Sequence, residues 1–218
     1  PFALFPLSQQ HLASGVAAII NALTPITTVV VSQFWPGGEK ATGLKIFGII
    51  AGFTGAAILA WPALSSGGTS ELWAIGACLL ATGCYAVSLN ITRQFAKVDP
   101  TTLAALALTG GAIVATIAAF ATEGVPVITR GETVLAALGI GLIATTFAFQ
   151  VMYRILPRIG ATNFSTVTFI APVSAILFGV TLLGERLQPI HFLGMAAIFI
   201  GLLLIDGRLF GRYRKARA

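Results

Sequence analysis

Residues 172–201 read PVSAILFGVTLLGERLQPIHFLGMAAIFIG. A proline sits inside an apolar run, Gly184-Glu185-Arg186 closes that run, and Gly194 and Gly201 punctuate the next. Working backward, Pro25, Gly38-Glu39-Lys40, Gly48 and Gly55 repeat the pattern. Acid to first glycine is nine positions in both copies and glycine to glycine is seven, while proline to acid is fourteen in the first copy and thirteen in the second. The register thus repeats at about 146 residues. In an apolar chain, a long repeat with a proline inside each copy's hydrophobic run points to a duplicated membrane transporter, because such folds bind solute where paired, interrupted helices meet.

Composition agrees. Hydrophobic residues make up 56% of the 218, charged residues only 9%, and the mean hydropathy is +0.92. Soluble domains of ordinary usage do not look like this. The 24 glycines suit helices that approach closely in lipid, where packing replaces the hydrophobic effect, and Gly48 with Gly52 forms one small-xxx-small pair. A formal charge of +6 would suggest nucleic acid in a soluble protein, but here the charges lie at the ends of apolar runs. No nucleic-acid partner is expected. Cys78 and Cys84, six apart on one helix and on different faces, cannot bridge and read as free, buried thiols. The histidines, His11 and His191, stand alone, so no metal or other cofactor is expected.

Seven apolar stretches approach or exceed the ~18–20 residues a spanning helix needs: 12–34, 46–64, 72–92, 100–122, 133–153, 159–184 and 187–205. If the tail after Ile205 is cytoplasmic, alternation puts Arg154, Arg158, Arg93, Lys97, Lys40 and Lys45 on the same side as Arg208, Arg212, Arg214, Lys215 and Arg217. Only Arg130 and Arg186 fall outside, which the positive-inside rule favours. The Pro25 and Pro172 spans are then separated by an odd number of crossings, so the copies are inverted.

The same arithmetic predicts that two helices and most of a third precede residue 1 in the full protein. The expected divisions are 1–68, the later part of a first repeat; 69–207, a complete second repeat; and 208–218, a basic cytoplasmic tail.

With these residues in hand, the chain resembles the drug/metabolite transporter superfamily, specifically its EamA-type members. The resemblance rests on Pro172-Val173-Ser174-Ala175, Leu183-Gly184-Glu185-Arg186-Leu187, Gly194 and Gly201, and on the looser first copy, where Phe34-Trp35-Pro36-Gly37 replaces the usual aliphatic residues. It implies an all-α membrane fold of ten helices in two inverted five-helix repeats. Seven complete transmembrane helices and the end of another are visible here. It also implies transport of small metabolites, without fixing a substrate.

Candidate chemistry lies in the neutral polar residues of the spans, each of which needs a partner in lipid surroundings. Pro25 and Pro172 each remove a backbone donor and so free a carbonyl that lines a cavity or simply permits a bend. Asn21, Thr24 and Thr28 share one face around Pro25. Thr166, Thr168 and Ser174 flank Pro172, Tyr85 and Asn90 occupy the third span, and Gln150 and Tyr153 the fifth. Threonine and serine commonly bond their own helix, whereas amides and phenols are less easily silenced. Glu39 and Glu185 read as architecture, each near the start of the following helix where a negative charge is favoured.

No Asp, Glu, Lys or Arg lies deep inside a span, although such groups mark proton relays and charged-substrate sites. The expected partners are a neutral or zwitterionic solute, such as an amino acid, and the lipid bilayer of a bacterial inner membrane. A homodimer is the one further assembly admitted. Two other classes compete. A seven-helix receptor or photosensor fits the span count, but retinal needs a mid-helix lysine and Lys40, Lys45, Lys97 and Lys215 lie in loops or tail. An intramembrane enzyme needs a buried nucleophile or His/Asp constellation, which is not seen.

Overall fold

The computed structural model describes residues 1–36, 43–66, 68–95, 97–122, 124, 131–164 and 167–206, with side chains throughout except at 66, 93, 156, 157, 159–170 and 206. Helices and short connections account for the described residues, with no strand among them. In order they are α1 (Leu4–Ser8), α2 (Ser14–Asn21), α3 (Thr24–Phe34), α4 (Gly43–Ser66), α5 (Thr69–Gln94), α6 (Pro100–Thr122), α7 (Gly131–Leu138), a π-helical segment (Gly139–Thr145), α8 (Thr146–Phe164), α9 (Val167–Leu182) and α10 (Pro189–Asp206).

Five segments are long and apolar enough to cross a bilayer: Ser14–Phe34, Gly43–Ser65, Thr69–Thr92, Pro100–Thr122 and Gly131–Ile155. The two last runs, expected at 159–184 and 187–205, give shorter apolar helices at Ala171–Leu182 and Pro189–Ile205 among the described residues. The expected count of seven full spans is therefore met by five spans and two shorter helices. Helix α9 stops where Gly184 adopts φ 66°, which accounts for its early C-terminal end.

The chain divides into two compact units: 1–92 with 165–218, and 93–164. These divisions cut across the boundary expected near residue 68, because α9 and α10 pack with the first part of the chain. In the first unit, Ile19, Ile20, Leu23, Ile26 and Ile198 are fully buried and form a core with Leu59, Ile75, Cys78 and Leu202. In the second unit, α6 packs against α8, and Asp99 starts α6 by accepting the Thr102 N–H at 2.9 Å, one residue before Pro100. Phe47, Phe53, Ile113, Ile117, Leu142 and Phe147 point outward, as lipid-facing residues do.

Helices α4 and α10 make the most extensive contact in the first unit, and glycine makes it feasible. A Cβ on Gly48 would lie 2.6 Å from the Gly201 carbonyl oxygen, and one on Gly201 would lie 2.6 Å from that of Gly48. Gly55 and Gly194 stand in the same relation, at 2.7 and 3.0 Å. The pairing is crosswise. The sequence offset that carries Gly48 to Gly194 and Gly55 to Gly201 also carries the first contact into the second.

Candidate functional site

The two prolines play different structural parts. Pro172 is buried within α9. Pro25 does not interrupt a continuous helix: it lies in the first turn of α3, after a break at Ala22 and Leu23. A proline there forfeits no bond that α3 itself needs. Nor is the preceding carbonyl left free as expected, because the Thr24 hydroxyl donates to the Asn21 carbonyl at 2.7 Å. The Thr24 hydroxyl also lies 3.2 Å from Asn21 Oδ1. Thr28 donates to the Thr24 carbonyl at 2.7 Å, and Ser174 to that of Ala171 at 2.9 Å. These hydroxyls serve their own helices.

On α5, Tyr85 stacks on Phe5 with ring centroids 6.3 Å apart. Thr27, a residue the spacing argument passed over, donates across to the Thr82 carbonyl at 3.2 Å and ties α3 to α5. Asn90 is buried. Its amide Nδ2 donates to the Ala86 carbonyl at 2.9 Å, while its Oδ1 has no hydrogen-bond partner. Trp35 Nε1 is the other buried polar side-chain atom without a partner among the described residues. An unmet acceptor in an apolar interior is costly, which makes Asn90 Oδ1 the strongest unsatisfied polar atom available to a solute in this unit.

Gln150 and Tyr153 belong to the second unit. Gln150 Oε1 accepts the Thr101 hydroxyl at 3.3 Å, and Tyr153 is buried edge-on to Phe149 with centroids 5.7 Å apart. The ten cavity candidates therefore divide between two units and do not fall into one described cluster. Thr166 and the Thr168 side chain lie outside the described residues, as do Gly38, Glu39 and Lys40. Cys78 is buried and donates to Ser8 Oγ at 3.0 Å, but Cys84 is exposed, contrary to the expectation of two buried thiols. Both are free. Among the described residues there is no group of three or more metal-ligating side chains.

Glu185 is placed differently from expectation. It does not serve the helix that follows it. Its Oε1 accepts the Ser14 N–H at 2.7 Å and its Oε2 the Gly15 N–H at 3.3 Å, so it closes the N-terminus of α2. The N-cap residue of α2 is Ala13, which has no side chain able to do this. Gly184 with φ 66° and the Glu185 N–H bond to the Gly179 carbonyl, 3.0 Å, fold the chain back so that the carboxylate arrives there. Partial burial pushes the Glu185 carboxyl upward, but hydrogen bonds from the Ser14 backbone, the Ser14 hydroxyl and the Gly15 backbone outweigh it and hold the group below the usual glutamate range. Ser14, Gly15 and Gly179 were missed by sequence reasoning. The only signal was Ser14 opening an apolar run, a common helix-start residue.

Together, long apolar helices, a glycine seam and polar groups confined to hydroxyls and amides define a multi-pass integral membrane protein. The chain belongs to the EamA-like transporter family, whose model matches residues 71–206. It is similar to a probable terminal-alkyne amino-acid exporter of Streptantibioticus cattleyicolor, with 24% identity over 214 residues covering 95% of this chain and 69% of that relative. It is also similar to the uncharacterized transporter YoaV of Bacillus subtilis, 26% identical over 198 residues, covering 90% and 68%. The uncharacterized inner membrane transporter YedA of Escherichia coli is 24% identical over 200 residues, covering 90% and 63%. One solved crystal structure shares the fold at a TM-score of 0.59, with 22% identity, covering 94% of this chain and 72% of that one. This is a membrane transporter of the drug/metabolite superfamily, and the relatives' names are those of transporters rather than enzymes.

Proposed function

We propose that the protein moves a small neutral or zwitterionic metabolite, such as an amino acid, across a bacterial inner membrane by alternating access between two inverted five-helix repeats. The crosswise contact of Gly48 with Gly201 and Gly55 with Gly194 carries this reading. Two repeats related by a twofold axis in the membrane plane require such reciprocity, and inverted repeats can exchange conformations to open either side. A single unrelated helix pair has no reason to obey it.

The choice of solute follows from charge. The spans lack fixed ions, which disfavours phosphorylated or permanently charged solutes. The name of the Streptantibioticus relative favours an amino acid. Asn90 Oδ1 offers an acceptor for an ammonium or hydroxyl group of the solute, and Tyr85, on the same helix, an aromatic surface. Lysine and arginine counts place the C-terminal tail in the cytoplasm and the Glu185 turn outside. The YedA relative, named for the inner membrane, supports that compartment.

An efflux assay over a panel of amino acids, sugar phosphates and lipophilic cations, with the full-length protein expressed in cells, tests the reading. Transport of a neutral amino acid, reduced in Asn21→Ala, Tyr85→Ala and Gln150→Ala at equal expression, is expected. Full activity in all three variants contradicts the proposed solute contacts, and transport restricted to sugar phosphates contradicts the solute class.

A further inference from the structure

Helix α2 is held at one end and hinged at the other. Its eight residues, Ser14–Asn21, join α3 through the break at Ala22 and Leu23, where backbone hydrogen bonding shifts to the Leu23 N–H donating to the Ile20 carbonyl at 2.9 Å. Pro25 supplies no N–H to mend that break. At the other end, the Glu185 carboxylate binds the first two N–H groups of the helix from 170 residues away.

The surroundings of the carboxylate are shaped for it. A Cβ on Gly179 would lie 2.5 Å from Glu185 Oε2 and 2.9 Å from Ser14 Oγ, so any side chain there would occupy the carboxylate's place. A Cβ on Gly15 would lie 3.1 Å from Ile176 and 3.4 Å from Leu187, so α2 and α9 are drawn close at this end. The attraction is between an anion and the positive end of a helix, reinforced by hydrogen bonds to a charged acceptor. All its described donors are uncharged backbone and hydroxyl groups, which water can replace when the helices part.

We propose that Glu185 is the latch of the gate on the outer side: its carboxylate holds the start of α2, in the first repeat, against the end of α9, in the second, and must release Ser14 and Gly15 for α2 to swing on its hinge and open that side. This rests on the alternating-access reading above, and gives Glu185 a positioning part in it. It does not touch the solute. The motif Gly184-Glu185 then has a mechanical meaning, the glycine turning the chain and the glutamate closing the gate.

The test uses the full-length protein with Cys78→Ala, Cys84→Ala and a reporter Ile176→Cys beside Gly15, in right-side-out and inverted membrane vesicles. The rate of labelling by a membrane-impermeant maleimide is measured. Glu185→Gln is expected to raise labelling from the outer side about ten-fold, the factor that corresponds to losing one hydrogen bond to a charged group, with Glu185→Asp intermediate. Ser14→Pro supplies a second variant that leaves Glu185 in place. It deletes the 2.7 Å donor at a first-turn position where proline is accepted, and Ala13 already has φ −59° and ψ 145°, the geometry that precedes proline. It too is expected to raise outer labelling, while Ser14→Ala, which keeps the N–H, is expected to have a smaller effect. Unchanged labelling in Glu185→Gln and Ser14→Pro overturns the latch, as does a rise seen only from the cytoplasmic side, or an equal rise at a control cysteine in place of lipid-facing Leu177. Failure to transport any solute in the efflux panel would count against the transport reading, while labelling still decides the latch.

Discussion

The Gly48 carbonyl oxygen lies 2.6 Å from where a side chain on Gly201 would begin, and the converse distance is the same. Helices α4 and α10 therefore meet backbone to backbone. Gly55 and Gly194 repeat the contact seven residues along each helix. Because the four glycines hold equivalent places in the two sequence copies, the seam reads as the structural imprint of the duplication.

Larger residues in this seam must part the helices. Gly48→Leu and Gly201→Leu are expected to destabilise the protein in detergent by about 1–3 kcal/mol, the usual cost of overpacking. Gly76→Ala and Gly110→Ala, where a Cβ meets nothing within 4 Å, are expected to stay within about 0.5 kcal/mol or gain slightly from helix propensity. Thermal unfolding of the four variants checks this. Equal effects at the two kinds of site would remove the seam from the account.

The Thr24 hydroxyl replaces the donor that Pro25 lacks. Thr24→Val should thus cost about 1–3 kcal/mol by stranding the Asn21 carbonyl. In a Pro25→Ala background, the new N–H can take that carbonyl and the cost should largely vanish. A double-mutant cycle measured by unfolding supplies the coupling. Additive effects would mean that the hydroxyl is incidental.

Asn90 is a test of function against stability. Asn90→Leu removes a buried acceptor that nothing satisfies, so folding stability should be unchanged or higher. If the solute uses Oδ1, transport should fall about ten-fold at equal expression, as expected for one lost hydrogen bond. A variant that is stable and fully active would show that Oδ1 makes no contact with the solute.

The cap on α2 also makes a pH statement. The folded Glu185 carboxyl sits below its unfolded value despite partial burial, because three hydrogen bonds favour its ionised form. Its contribution is complete at neutral pH and is lost as pH falls through the folded-state pKa, below the ordinary glutamate range. Wild type should lose stability relative to Glu185→Gln as the solution is acidified, and the two should converge at the lowest pH. Parallel curves across the acid range would contradict the cap.

Much of the architecture was readable before any coordinates. Apolar runs with charged ends announce membrane helices, and the proline, Gly-Glu and glycine spacings lead to the family that residues 71–206 match. The partner of Glu185 was not readable, because a carboxylate at a helix boundary serves whichever helix start tertiary packing brings to it, here one 170 residues away. Pro25 and Pro172 look alike in sequence, yet only a tertiary arrangement with a helix break at Ala22 and Leu23 sets Pro25 in a first turn. Asn21, Thr24 and Thr28 promised a polar face, and local hydrogen bonds occupy the two threonine hydroxyls and the Asn21 carbonyl. Asn90 stood out in neither spacing nor motif. Its importance lies in an oxygen left unpaired by three-dimensional packing.

The most direct measurement of the central claim is counterflow in proteoliposomes that contain the purified full-length protein. Vesicles loaded with an unlabelled neutral amino acid should transiently accumulate the labelled form from outside, saturably and without an imposed ion gradient. Alternating access predicts this exchange for at least one neutral or zwitterionic solute. Accumulation confined to sugar phosphates, or no exchange above protein-free vesicles for any neutral solute in the panel, would contradict it.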